Sequence, residues 1–100
     1  KVYAQISTLP FGTFQYCNKM ESVTLGSSIT IIDEMAFEQC TLLTGVHCLS
    51  STPPSVVSTS DSPAFKGVDK TACTIYVPKG SLSAYKAASV WSSFTKIVEE

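Results

Sequence analysis

The sequence predicts a β-rich solenoid of stacked coils, with a parallel sheet along one side and a short helical cap at the C-terminal end. Three observations predict it. Apolar positions recur at a constant spacing, short alternating segments close each recurrence, and the pattern changes abruptly after Val77. A fixed period of this size, about 23 residues, is the signature of repeats that bury their cores by stacking on one another.

The period comes first. One constant shift along the chain places Ile6 on Ile29, Leu9 on Ile32, Phe14 on Phe37 and Cys17 on Cys40. The same shift places Met20 on Leu43, Val23 on Val46 and Leu25 on Cys48. Every aligned pair is apolar, and one shift serves them all. A looser third copy follows, in which Ala36-Phe37 recurs as Ala64-Phe65 and Val46-x-Cys48 as Ile75-x-Val77, each a few positions later than the strict period requires. The excess falls in residues 50–62, a Ser/Thr/Pro run that reads as a solvated loop with a stiff extended start at Thr52-Pro53-Pro54. The predicted coils are therefore 1–26, 27–49 and 63–77, with 50–62 inserted and 78–100 as the cap.

Each coil ends in a strand-like segment: Ser22-Val23-Thr24-Leu25, Gly45-Val46-His47-Cys48 and Thr74-Ile75-Tyr76-Val77. Alternate side chains of a strand face opposite ways. Val23, Leu25, Val46, Cys48, Ile75 and Val77 are predicted to point inward; Ser22, Thr24, His47, Thr74 and Tyr76 are predicted to point outward. Phe14 over Phe37 makes an inner aromatic ladder, and Cys17 over Cys40 stacks likewise. After the break at Pro78-Lys79-Gly80, Ser81 is placed to cap a helix reaching about Ala88. Leu82, Tyr85 and Ala88 form its apolar face. Trp91, Phe94 and Ile97-Val98 complete the cap, which a solenoid needs to cover its last coil.

Composition narrows the function. The chain has 100 residues, enough for one thin domain. Charged residues are 15% of the chain, while 15 Ser and 11 Thr are present, so hydroxyls supply the polarity that charges usually give. All seven basic residues are Lys and the net charge is −1, which disfavours a nucleic-acid partner that would want clustered cations and Arg forks. No apolar run approaches the roughly 20 residues that span a bilayer. Positive mean hydropathy and ten aromatic residues argue against disorder.

Sites for chemistry are sparse. His47 is the only His and neighbours Cys48 on a predicted strand, where adjacent residues face apart and cannot act as a pair. No Cys-x-x-Cys spacing points to a metal, no Gly-x-Ser-x-Gly elbow is present, and Gly-rich phosphate loops are missing. Asp33-Glu34, Glu38, Asp61 and Asp69 read as loop solvation. Cys17 and Cys40 stand near the Cα separation a disulfide tolerates, yet their inward ladder position reads as two buried reduced thiols acting as small hydrophobes. Stacking register also separates Cys48 from Cys73 by about 13 Å. No catalytic residue, cofactor or metal ligand is expected.

The residues Ile29-Thr-Ile-Ile32-Asp-Glu-Met-Ala36-Phe37-Glu-Gln-Cys40-Thr-Leu-Leu43 resemble the unit of the BspA-type leucine-rich repeat, found in surface proteins of Bacteroides-like bacteria and some protists. Asp33 stands where that family usually has Gly. The tail Cys73-Thr-Ile-Tyr76-Val77-Pro78-Lys79-Gly80-Ser81, with Tyr85, Trp91 and Phe94, resembles the family's closing segment. Pro10, Phe11 and Gly12 depart from the pattern in the first copy. The resemblance implies a leucine-rich-repeat solenoid on or outside the cell, without catalysis, engaged in protein binding or adhesion to another surface protein or host matrix. It also implies the C-terminal end of a longer array. Lys1-Val2 align partway through a unit, so an uncovered first coil is expected to meet upstream repeats or to self-associate. The outward row Ser22, Thr24, His47, Thr74 and Tyr76 is the candidate protein-binding face, and loop 50–62 is a second surface. Ordinary solvated strand residues and a passive linker would carry the same composition, and a structural cap or spacer is the alternative role.

Overall fold

The computed structural model describes residues 7–57 and 64–100. Two parallel sheets run along a stack of coils. Strands Thr8–Leu9 (β1), Ile31–Ile32 (β3) and Ser55–Val56 (β5) form the smaller sheet in that order. Strands Ser22–Leu25 (β2), Gly45–Cys48 (β4), Thr74–Val77 (β6) and Lys96–Glu99 (β7) form the larger one. The pairing is in register with the repeat: Val23 sits beside Val46, Val46 beside Ile75, and Ile75 beside Ile97. Val23, Leu25, Val46, Cys48, Ile75 and Val77 are all buried, as the alternation predicts. The chain is thus a parallel β-solenoid of about four turns.

Stacking continues through the turns between the sheets. The N–H groups of Gly12, Phe14 and Tyr16 donate to the carbonyls of Glu34, Ala36 and Glu38 in the next coil, at 3.0, 2.7 and 2.7 Å. Phe37 and Gln39 donate in the same way to Ala64 and Lys66. Each turn passes through left-handed backbone at matching positions: Gly12 and Met35 (φ 66° and 56°), then Tyr16, Gln39 and Gly67 (φ 62°, 60° and 89°). Side chains other than Gly are held there at a cost of about 1–3 kcal/mol, sustained only when surrounding structure dictates the conformation. Here the inter-coil hydrogen bonds do so. Gly67 has a further reason, since a Cβ there would lie 3.0 Å from the Gln39 amide.

Inside, Phe14, Phe37 and Phe65 form a column with centroid spacings of 5.4 and 5.0 Å. The column ends against the cap, where Trp91 and Phe94 meet Phe65 edge-on at 5.6 and 5.1 Å. The four cysteines are free thiols. Cys40 is buried and donates its S–H to the Phe14 carbonyl at 3.0 Å. Cys17 is only half-buried, contrary to the expected pair of buried thiols, because among the described residues its coil is stacked on one side alone. Glu38 also departs from its reading as a solvated loop residue. It is 5% exposed, and Gln15 from the first coil donates its amide to Oε1 at 2.6 Å.

The C-terminal segment is more than a cover. Its helix, Leu82–Ala87 (α1), lies within the predicted limits, with Tyr85 fully buried and Leu82 and Ala88 packed against the core. Ser81 occupies the N-cap position but its side chain makes no capping bond; its carbonyl accepts from the Tyr85 N–H. A 3-10 turn at Trp91–Ser93 then leads into β7, so the segment completes a fourth coil rather than lying across the third. The inserted run 50–62 differs as well. Its Ser55–Val56 pairs as a strand with Ile31–Ile32, since the two prolines before it leave an extended backbone ready to donate. The cap is tied to that run. The Tyr85 hydroxyl donates to the Ser50 carbonyl at 2.7 Å, and the Trp91 indole N–H to the Pro54 carbonyl at 2.9 Å. Residues 58–62, with Asp61, lie outside the described residues. So do residues 1–6, on which the expected uncovered start and its self-association rest.

Three substitutions test this account by chemical denaturation. Phe37→Ala, which removes the centre of the column, is expected to destabilise by about 3–5 kcal/mol, whereas Phe11→Ala, at a side chain 57% exposed, should change stability by under about 0.5 kcal/mol. Tyr85→Phe leaves the Ser50 carbonyl without its donor and is expected to cost about 1–2 kcal/mol.

Candidate functional site

In-register parallel pairing turns each outward position of the larger sheet into a row across it. One row runs Ser22, Gly45, Thr74, Lys96; the next runs Thr24, His47, Tyr76, Val98. Of the five residues predicted for the face, Ser22 is exposed, and His47, Thr74 and Tyr76 are half-buried. The His47 and Tyr76 rings stack with centroids 4.4 Å apart and planes 7° from parallel. Thr24 does not behave as expected. It is 5% exposed, although it sits beside His47 in the row.

Two features organise the stacked pair. Gly45 leaves open the ground beside it: a Cβ there would stand 3.5 Å from Tyr76 Cε2 and 3.8 Å from His47 Nε2, so a larger side chain would crowd both rings. Glu100, just past β7, approaches His47 Nδ1 with Oε2 at 2.8 Å. A carboxylate only accepts, so this contact places a proton on Nδ1 and, in a neutral ring, leaves Nε2, on the side of Gly45, as an acceptor. The result is a fixed aromatic pair with polar edges, bordered on one side by Val98, which is 41% exposed.

Sequence reasoning missed Gly45, Val98 and Glu100, and for the last two a signal was present. Lys96-Ile97-Val98-Glu99 repeats the alternation of Thr74-Ile75-Tyr76-Val77 one coil farther along, which marks a fourth strand in the same register.

The arrangement offers little for catalysis. His47 stands on the outer face, while Cys48 is buried on the inner one. Burial pushes the Cys48 thiol up to about 12 and those of Cys40 and Cys73 up to about 11, so all three stay protonated and poorly nucleophilic near neutral pH. Among the described residues, no three His, Cys, Asp or Glu side chains converge where a metal ion could sit.

No curated protein matches the chain. The sequence does match the family model described as the BspA type leucine rich repeat region (6 copies), over residues 3–97. That match spans the smaller sheet, the phenylalanine column and the larger sheet as far as the first half of β7, and such repeats are typically non-enzymatic. With its parallel coils and their shared register, the chain belongs to the BspA-type leucine-rich repeat family.

Proposed function

We propose that this chain is a non-catalytic protein-binding module of a bacterial surface or secreted protein, and that it adheres to protein of the host extracellular matrix through the outer face of the larger sheet. Leucine-rich repeats serve as protein-interaction modules, and BspA-type members are generally surface-exposed or secreted in bacteria. Among the described residues no helix is long and apolar enough to cross a membrane.

The observation that carries the reading is the His47–Tyr76 stack. Binding energy concentrates in a few rigid aromatic or amphipathic side chains, because little conformational entropy is left to lose when a partner docks. Stacked rings, one of them also bonded to Glu100, have already lost that freedom. Ser22 and Thr74 lie in the adjoining row as peripheral hydrogen-bonding groups. Thr24, buried, contributes by supporting the His47 ring rather than by contact.

The test is capture of the chain on a panel of purified host extracellular-matrix proteins. At least one should bind, and His47→Ala with Tyr76→Ala together should weaken that binding about 30-fold or more, as expected for loss of about 2 kcal/mol or more at a central anchor. Ser22→Ala should change it less than about threefold. Circular dichroism of the double variant checks that the coils persist. Equal capture by the double variant would move the contact off this face, and failure to bind any matrix protein would remove the adhesive role.

A further inference from the structure

Cys17 and Cys40 occupy the same place in adjacent coils. Each follows a column phenylalanine by three residues, and each donates its N–H back to that phenylalanine's carbonyl, at 3.0 Å from Cys17 to Phe14 and 3.2 Å from Cys40 to Phe37. The coils are in register on both sides of the pair. Phe14 stacks on Phe37 before it, and Ser22 pairs with Gly45 after it. Tyr16, the residue before Cys17, is bonded to Glu38 across the coils at 2.7 Å. The two Cα atoms are therefore one coil spacing apart, about 5 Å, inside the roughly 4.4–6.8 Å that a disulfide spans. The Cys40 sulfur already reaches toward the first coil, 3.0 Å from the Phe14 carbonyl oxygen.

The two thiols differ in access. Cys17 is half-buried, whereas Cys40, Cys48 and Cys73 are buried. We infer that Cys17 and Cys40 are an attacking and resolving pair that closes into an inter-coil disulfide when a small-molecule disulfide is present. The Cys17 thiolate attacks one sulfur of the oxidant, forming a mixed disulfide and releasing one thiolate. Cys40 then attacks the Cys17 sulfur as its own thiolate, the Cys17–Cys40 bond forms, and the second half of the oxidant leaves. Two protein thiols are oxidised, their two protons pass to solvent or to the departing thiolates, and one disulfide is reduced to two thiols. Cys48 and Cys73 do not compete. Both are buried away from the oxidant, and they are out of step in the register: the Cys73–Thr74 peptide is level with Thr44, whose carbonyl accepts from the Thr74 N–H, four residues before Cys48.

Because burial holds the Cys40 thiol at about 11, the second step should be the slower one. Its rate should rise about tenfold per pH unit between pH 7 and 9 as the thiolate fraction grows.

The experiment incubates the reduced full chain with oxidised glutathione and follows it by intact mass and peptide mapping. A transient glutathione adduct on Cys17 is expected, giving way to a chain lighter by two hydrogen atoms in which the Cys17 and Cys40 peptides are linked. Cys40→Ser should halt at the adduct on Cys17, since a serine hydroxyl can still donate to the Phe14 carbonyl and preserve the turn. Cys17→Ser should stay unmodified. A stable adduct on Cys17 in the unaltered chain, a link that includes Cys48 or Cys73, or no reaction under any of these conditions would overturn the inference.

Discussion

In a solenoid of parallel strands the hydrogen bonds between strands run along the stacking axis, so the path of each coil is fixed by its neighbours. Register then becomes the governing constraint. Once Val23 lies beside Val46 and Val46 beside Ile75, every residue at an equivalent place must occupy the same lateral position, whatever its chemistry. The column of Phe14, Phe37 and Phe65 is one outcome, with rings one coil apart and nearly parallel between Phe37 and Phe65. The left-handed residues are another. Tyr16 and Gln39 adopt backbone that Gly67 takes freely, because their N–H groups are committed to carbonyls in the following coil.

The same constraint explains which parts could be read from the sequence. Inward strand positions repeat chemically as well as geometrically, so Val23, Val46 and Ile75 announced themselves, as did the phenylalanines. The positive-φ turns did not, because Tyr16, Met35 and Gln39 carry no local preference for that conformation; the preference comes from the stack. Strand β5 was hidden in a Ser/Thr/Pro run whose composition signals a loop, and only its pairing with Ile31–Ile32 makes it a strand. The fourth coil was obscured because a helix and a 3-10 turn replace the usual path between sheets, although β7 keeps the alternation. Glu38 was misread for a related reason: a carboxylate in a loop is normally solvated, and nothing local reveals that Gln15 of the adjacent coil will meet it.

The candidate face was legible in outline. Alternation placed Ser22, His47, Thr74 and Tyr76 outward, and register brought His47 against Tyr76. What could not be read was depth. Thr24 has the same outward parity as His47 yet is buried, since parity fixes the direction of a side chain and not what packs around it. Nor could the partnership of His47 with Glu100 be read, because they stand far apart in the chain and only the fourth coil closes that distance.

The interval between paired strands is not uniform along the stack. From Val46 to Ile75 the chain takes a longer path than from Val23 to Val46 or from Ile75 to Ile97, yet the pairing stays in step throughout. Extra chain is therefore taken up between the strands of the larger sheet without shifting one relative to the next. A coil of this kind separates two kinds of inherited change. Substitutions on a strand alter what the sheet presents, while lengthening between strands alters the outline of a single coil and leaves the other coils' faces as they were. Repeats built this way can diverge one at a time, each tolerating insertions that would dislocate a sheet of tightly hairpinned strands.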